Sequence, residues 1–178
     1  GVYGKINYIC LTEFNKEKLL TLKQIKSERV FIKPNFANVE NVAKNIWNRK
    51  KQILYLGRIE EIKGVKLLVE TWKKYGHFLP LLKICGNGPL KKWCAFEIEK
   101  NEIENIVLCE FMPHDEAMKE LSMSLALILP TQVYEGFPMT IVESLACATP
   151  VICSDFGNAG SLIDEDVSGY KFDGTVDG

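Results

Sequence analysis

Along the chain, short apolar runs alternate with stretches whose apolar residues recur every three or four positions. Residues 52–56 (Gln-Ile-Leu-Tyr-Leu) form an apolar run that stops at Gly57, which predicts a strand. Ile62, Val65, Leu68, Val69 and Trp72 then fall on one face of a helix, with Lys63, Lys66, Glu70 and Lys73 on the other side. Residues 80–85 predict a second strand, ended by Gly86-Asn87-Gly88-Pro89, and a helix is expected over 90–100. A third strand is predicted over 105–109, a short helix over 115–121 and a nearly all-apolar fourth strand over 124–129. A helix over 138–147, a fifth strand over 150–153 and a short last one over 170–172 complete the series.

Alternating strands and helices predict a parallel sheet covered on both faces, a Rossmann-like three-layer α/β/α fold. Continuously apolar strands fit this, because such strands are buried on both sides. In an open parallel sheet the ligand crevice lies beyond the carboxyl ends of the strands. The segments after Leu56, Cys85, Cys109, Leu129 and Cys153 are therefore expected to converge on a site. The first fifty residues follow a different pattern, with a strand-like run over 7–11, an amphipathic helix over 14–25 and a second run over 30–32. Lys33-Pro34-Asn35-Phe36 breaks the pattern, and the polar residues 37–50 read as a linker.

Composition narrows the class. Hydrophobic residues at 47% and charged residues at 25% suit a folded globular chain. A net charge of −1 points to no nucleic-acid partner. No stretch reaches the ~18 apolar residues of a membrane span. Six cysteines without a C-x-x-C pair and only two histidines argue against zinc. Cys85, Cys109 and Cys153 close apolar runs and read as buried reduced thiols, so the cytoplasm is the expected compartment. The chain opens on Gly1, which reads as an excised piece.

Three stretches carry candidate chemistry. The first is Glu135-Gly136-Phe137-Pro138, with Glu143 eight positions after Glu135. A proline suits the first turn of a helix, whose free amides and positive dipole end attract an anion such as phosphate. Gly136 lets a ligand approach the backbone. Glu143 leans back toward the helix start and can accept hydrogen bonds from two neighbouring hydroxyls, as on a ribose. The same stretch reads equally well as an acidic first turn with a solvated glutamate. The second is Gly57-Arg58 followed by Lys63-Gly64, with Arg58 leaving a strand and Lys63 opening a helix. Two such cations can neutralise a diphosphate, or be ordinary surface charges. The P-loop order is absent. The third, Gly86-Asn87-Gly88-Pro89-Leu90, is half of a dinucleotide fingerprint, with Lys91 at the third glycine's place. A tight turn explains it better. The loop Phe111-Met112-Pro113-His114 suits a base, with His114 a plain helix-entry residue and His77 an exposed turn residue.

In order and spacing these pieces resemble the donor-binding domain of the retaining GT-B glycosyltransferases of family 4, also called glycosyltransferase group 1. The carriers are Gly57-Arg58, Lys63-Gly64, Gly86-Asn87-Gly88-Pro89-Leu90, Glu135-Gly136-Phe137-Pro138, Glu143 and Ala148-Thr149-Pro150-Val151-Ile152. Asp155-Phe156-Gly157 with Asn158 resembles a D-x-G-G turn. Thr12-Glu13-Phe14 and Pro34-Asn35-Phe36 resemble the end of the acceptor domain and the hinge, giving residues 1–36 as its remnant and 37–178 as the donor domain, truncated at its C-terminus. The sequence departs from the pattern at Ala148, Pro113 and Leu125.

The resemblance implies transfer of a sugar from a nucleoside-diphosphate sugar to a glycan or lipid-linked acceptor, in surface polysaccharide assembly. Arg58, Lys63 and Glu135 would be catalytic: the two cations hold the leaving diphosphate and Glu135 faces the sugar. Gly57, Gly86, Asn87, Gly88, Pro89, Met112, Pro113, Gly136, Phe137, Pro138, Met139 and Glu143 would line the donor site. No cofactor and no metal is implied, and the sequence has no D-x-D motif. The acceptor domain is expected to lie outside this chain, so the piece by itself should bind without turnover. The Asn7–Ile32 unit is expected to pack awkwardly or to pair with a second copy, and the whole enzyme to touch a membrane peripherally. Two other readings keep their place here: a GT-B epimerase or phosphorylase, and a non-catalytic Rossmann-like module.

Overall fold

The computed structural model describes residues 2–38 and 48–178. Most of the expected linker over 37–50 lies outside the described residues. Six strands form one all-parallel sheet: β3 (Gln52–Leu56), β4 (Leu81–Cys85), β5 (Ile106–Cys109), β6 (Ala126–Leu129), β7 (Val151–Ser154) and β8 (Gly169–Phe172). Their order is β5-β4-β3-β6-β7-β8. The chain starts in the middle, at β3, winds outward to β5, then returns to β6 beside β3. This order is that of a Rossmann-like, doubly wound sheet, and the crevice of such a sheet opens where the winding reverses, between β3 and β6.

Period-two alternation sorts the strand residues between two cores. Ile53, Tyr55, Leu82 and Ile84 face the helices α2 (Val65–Tyr75) and α3 (Lys91–Lys100), where Leu68, Val69, Trp72 and Cys94 meet them. Leu54, Leu56, Leu127 and Cys153 face α4 (His114–Ser122), α5 (Met139–Ala146) and the short α6 (Gly157–Ser161). All five residues of β3 are buried, as a central strand requires.

Two boundaries in this part of the chain, next to the candidate site residues, differ from the sequence reading. The helix expected from Ile62 is interrupted: Glu61–Lys63 form a 3-10 turn, and Gly64, left-handed at φ 71°, separates it from α2. Lys63 therefore ends a turn rather than opening a helix. Pro138 lies just outside α5 as its N-cap, not inside its first turn.

The N-terminal unit is a separate two-stranded parallel sheet, β1 (Tyr8–Cys10) on β2 (Val30–Ile32), joined by α1 (Glu13–Leu20). The helix expected to reach Ile25 stops at Leu20, followed by turns. Thr12 caps it, its hydroxyl oxygen accepting the Asn15 amide at 3.0 Å. This unit does not hang free: α1 contacts α6, and the buried Thr12 hydroxyl bonds Asn158. No helix among the described residues is long and apolar enough to cross a membrane.

Candidate functional site

The loops after β3 and β4 are laced together by backbone bonds. The Gly57 amide donates to the Cys85 carbonyl at 3.2 Å, Ile59 to Asn87 at 2.9 Å and Leu90 to Ile59 at 3.0 Å. This lacing has no room for side chains: a Cβ on Gly88 would stand 2.3 Å from the Ile59 carbonyl oxygen. The Gly86–Leu90 segment is thus the tight turn its glycines suggested. Beneath it Tyr55, fully buried, donates its hydroxyl to the Arg58 carbonyl at 2.7 Å. Burial foremost, then the charges of Glu135 and Glu60 and nearby Cys94, push its ionisation far up, so the phenol stays a donor.

A cavity of about 430 Å³ opens at this edge. Its sheet side is formed by Gly57, Arg58, Gly86 and Asn87. Phe111 and Met112 after β5, and His114 at the start of α4, form a second side. Thr140 and Glu143 of α5 close the third. Sequence-expected residues from four separate segments therefore share one wall. Glu143 is largely buried, with 17% of its side chain exposed, and stands 3.8 Å from His114 Nδ1. Arg58 is the reverse: 68% of its side chain is exposed, held to Glu60 at 3.2 Å.

The remaining expected residues lie off this wall. Lys63 and Glu135 meet each other, Nζ to Oε1 at 2.8 Å, both three-quarters buried or more. What brings them together is Gly64. A Cβ there would stand 1.9 Å from the Pro130 carbonyl oxygen, so the turn before α2 can seat itself on the loop after β6 only with glycine. The Gln132 amide seals the contact, donating to the Ile62 carbonyl at 2.9 Å. Gly136 faces open space, with no atom within 4 Å of where its Cβ would be. Phe137 and Met139 flank Pro138, and the first amides of α5 have no acceptor within the helix. Gly88, Pro89 and Pro113 serve the turns: Pro113 is the N-cap residue of α4.

Sequence reasoning passed over three residues. Thr140 and His114 join the wall, and His114 was foreseeable as the residue that leads the base loop into α4. Asn158 has its signal in the D-x-G-G-like turn, where it puts a side chain in place of a second glycine. Its amide donates to the carbonyls of both Glu135 and Gly136 at 2.7 Å. Among the described residues, no group of three or more His, Cys, Asp or Glu could hold a metal ion. The cysteines are free thiols; burial pushes Cys85 and Cys153 up to about 12, which keeps them inert. Cys109 is only half-buried.

Comparison with known proteins fits this geometry. A curated relative from Campylobacter jejuni is N-acetylgalactosamine-N,N'-diacetylbacillosaminyl-diphospho-undecaprenol 4-alpha-N-acetylgalactosaminyltransferase. It is 28% identical over 145 residues, covering 79% of this chain and 39% of that protein. The lipopolysaccharide outer core galactosyltransferase WaaB, in its apo form, superposes with a TM-score of 0.78 at 21% identity, covering 96% of this chain and 50% of that one. A variant of S. aureus TarM, crystallised with fondaparinux, alpha-GlcNAc-glycerol and UDP, matches at 25% identity and a TM-score of 0.72, over 93% of this chain and 33% of that one. The chain thus spans well under two thirds of the proteins it matches. The fold is that of the GT-B glycosyltransferases, in the part that carries this Rossmann-like sheet. The family model described as "Glycosyl transferases group 1" matches residues 38–177, and the chain belongs to that family.

Proposed function

We propose that the cavity and the adjoining 135–140 turn bind a nucleoside-diphosphate sugar, and that the whole protein is a retaining glycosyltransferase that passes the sugar to a glycan acceptor. The observation that carries this reading is the shared wall: Glu143, largely withdrawn from solvent, faces the same cavity as Arg58 and the glycine loops. Glu143 suits the ribose hydroxyls, Met112 and Pro113 the base, and the α5 start with Gly136 and Phe137 a phosphate. Arg58 and Lys63 supply the positive charge that a departing diphosphate needs. A bound diphosphate would take Lys63 from Glu135 and free that carboxylate to face the sugar. Because protein cations neutralise the ligand, binding is expected to be indifferent to magnesium. Residues 1–36 then belong with the acceptor domain and hinge, and 37–178 with the donor domain. The relative named for an undecaprenol-linked saccharide supports a lipid-linked acceptor, and with it a place in surface polysaccharide assembly is part of the proposal.

Calorimetric titration of UDP, GDP and ADP, with Arg58→Ala and Glu143→Ala in parallel, tests the site. One nucleotide is expected to bind, and each substitution to weaken it about tenfold or more, the size of one charge-assisted contact. Binding that ignores both substitutions would overturn the assignment.

A further inference from the structure

The loop that carries Glu135 and Gly136 is held from behind by one side chain. Asn158, in the first turn of α6, is 2% exposed. Its amide nitrogen lies 2.7 Å from both the Glu135 and the Gly136 carbonyl oxygen and 3.0 Å from Asn15 Oδ1, its two hydrogens shared among the three acceptors. Its oxygen accepts the Thr12 hydroxyl at 2.6 Å. Asn15 adds a longer bond of its own, Nδ2 to the Gly136 carbonyl at 3.4 Å. Above this polar clip, Tyr134 lies between Phe14 and Phe156, its ring centroid 6.1 Å from the first and 4.4 Å from the second. Lys18 sits 3.8 Å from the Tyr134 centroid.

Peptide planarity turns this clip into an aiming device. In a trans peptide the carbonyl of one residue and the amide of the next point to opposite sides. Fixing the Glu135 carbonyl on Asn158 therefore fixes the Gly136 amide on the other side, and fixing the Gly136 carbonyl does the same for the Phe137 amide. Neither amide has a protein acceptor among the described residues, and the space beside Gly136 is open. Two adjacent amides aimed the same way form an anion-binding concavity. A glycine at position 158 would leave both carbonyls without this donor.

We propose that Asn158 is a positioning residue of the donor site: by gripping two carbonyls and the α1 cap, it aims the Gly136 and Phe137 amides at the phosphate farther from the nucleoside. The proposal rests on the nucleotide-sugar reading for its ligand, and on the hydrogen-bond geometry for its mechanism. It makes the N-terminal unit part of the site's scaffold, because Thr12 and Asn15 set the Asn158 rotamer.

The test uses the whole 178-residue chain, with Asn158→Ala and the milder Asn15→Ala. UDP and UMP are titrated, and amide exchange over 134–139 is followed without ligand. Asn158→Ala is expected to weaken UDP about tenfold while UMP changes by less than about twofold, and to speed exchange over that segment. Asn15→Ala should do the same more weakly, at about threefold on UDP, and stands in if Asn158→Ala does not fold. Equal losses of UDP and UMP would mark Asn158 as merely structural and overturn the proposal; so would unchanged exchange. If the unaltered chain binds none of UDP, GDP and ADP, the donor reading falls, while exchange still decides whether Asn158 orders the loop.

Discussion

The two edges of the six-stranded sheet treat charge in opposite ways. At the amino edge, charged groups collect several partners each, and Glu120 is saturated with them, although Arg49 Nε is buried without one. Glu120 of α4 collects Gln52 at 2.7 Å and Lys50 and Lys83 at 3.0 Å, all on one carboxylate oxygen. Arg49 donates to the carbonyls of Ser124 at 3.2 Å and Ala148 at 2.6 Å. At the carboxyl edge, partners are fewer and replaceable. Among the described residues, the exposed Arg58 pairs with the mostly buried Glu60, Lys63 has Glu135 alone, and Glu143 has only a distant His114. Saturated charge buries without leaving a ligand anything to gain. Charge in single pairs can be exchanged for a ligand's, and that is the edge where the cavity lies. What is pinned at the carboxyl edge is the backbone.

The largest effect expected follows from that last point. Gly64→Ala puts a Cβ 1.9 Å from the Pro130 carbonyl oxygen, on a residue at φ 71°. Clash and left-handed strain together should cost about 3 kcal/mol or more, read as a fall in denaturation midpoint. A loss below about 1 kcal/mol would show that the loop after β6 is free to move, and with it the Lys63–Glu135 pair.

Next in size is Glu120→Gln at the saturated edge. Burial alone would raise the Glu120 carboxyl, but hydrogen bonds from Gln52, Lys83 and Lys50 outweigh it and bring it from 4.5 down to about 2. A depressed folded-state value means the stabilisation is full above pH 4.5 and is lost as pH falls toward 2. The substitution should therefore cost about 2–3 kcal/mol at neutral pH. The gap between the two proteins should close through that acid window. A gap that stays constant from neutral pH to pH 2 would show that the three partners do not hold the carboxylate charged.

The sheet was legible in the sequence because each strand is a closed apolar run. Residues 52–56 were read to the residue, and β4 to β7 within two positions at either end. The Gly86–Leu90 turn and the convergence of Arg58 and Glu143 were also readable, since strand ends in a parallel sheet meet at one edge. Other features were not. α6 is Gly-Asn-Ala-Gly-Ser, a sequence with poor helix propensity and no apolar period, held by its contacts with α1 and β7 and by the Asn158 bonds to the loop at 135–136. The break at Gly64 was hidden because the apolar spacing runs straight through it, and its cause is a contact with Pro130, far away in sequence. The bonds of Asn158 to Thr12 and Asn15 span more than 140 residues, and no local pattern announces such a partner.

Lys63→Gln sharpens the comparison from the other side. The pair is mostly buried, but glutamine can still donate to Glu135, the partner of Lys63 among the described residues, so stability should fall by about 1 kcal/mol. Nucleoside-diphosphate binding, by contrast, should weaken about tenfold or more if Lys63 exchanges Glu135 for phosphate. Calorimetry beside denaturation separates the two. A larger cost in stability than in binding would place Lys63 with the saturated group at the opposite edge.

The smallest effect is expected to carry the opposite sign. Ala148 stands where the related motif has glycine, and it adopts φ 54°, the left-handed region that a Cβ penalises. It is held there from two directions. Its amide donates to Leu145 at 2.9 Å as the chain leaves α5, and its carbonyl accepts Arg49 at 2.6 Å. The residue is exposed, so its methyl group contributes little packing to offset the strain. Glycine relieves the strain but gains freedom in the unfolded chain, which returns part of the benefit. Ala148→Gly should therefore stabilise the protein by roughly 0.5–1 kcal/mol, without touching nucleotide affinity at the far edge of the sheet. Were the substitution destabilising instead, the Arg49 anchor would be dictating a geometry that alanine fits better than glycine, and the amino edge would be pinned in backbone as firmly as the carboxyl edge.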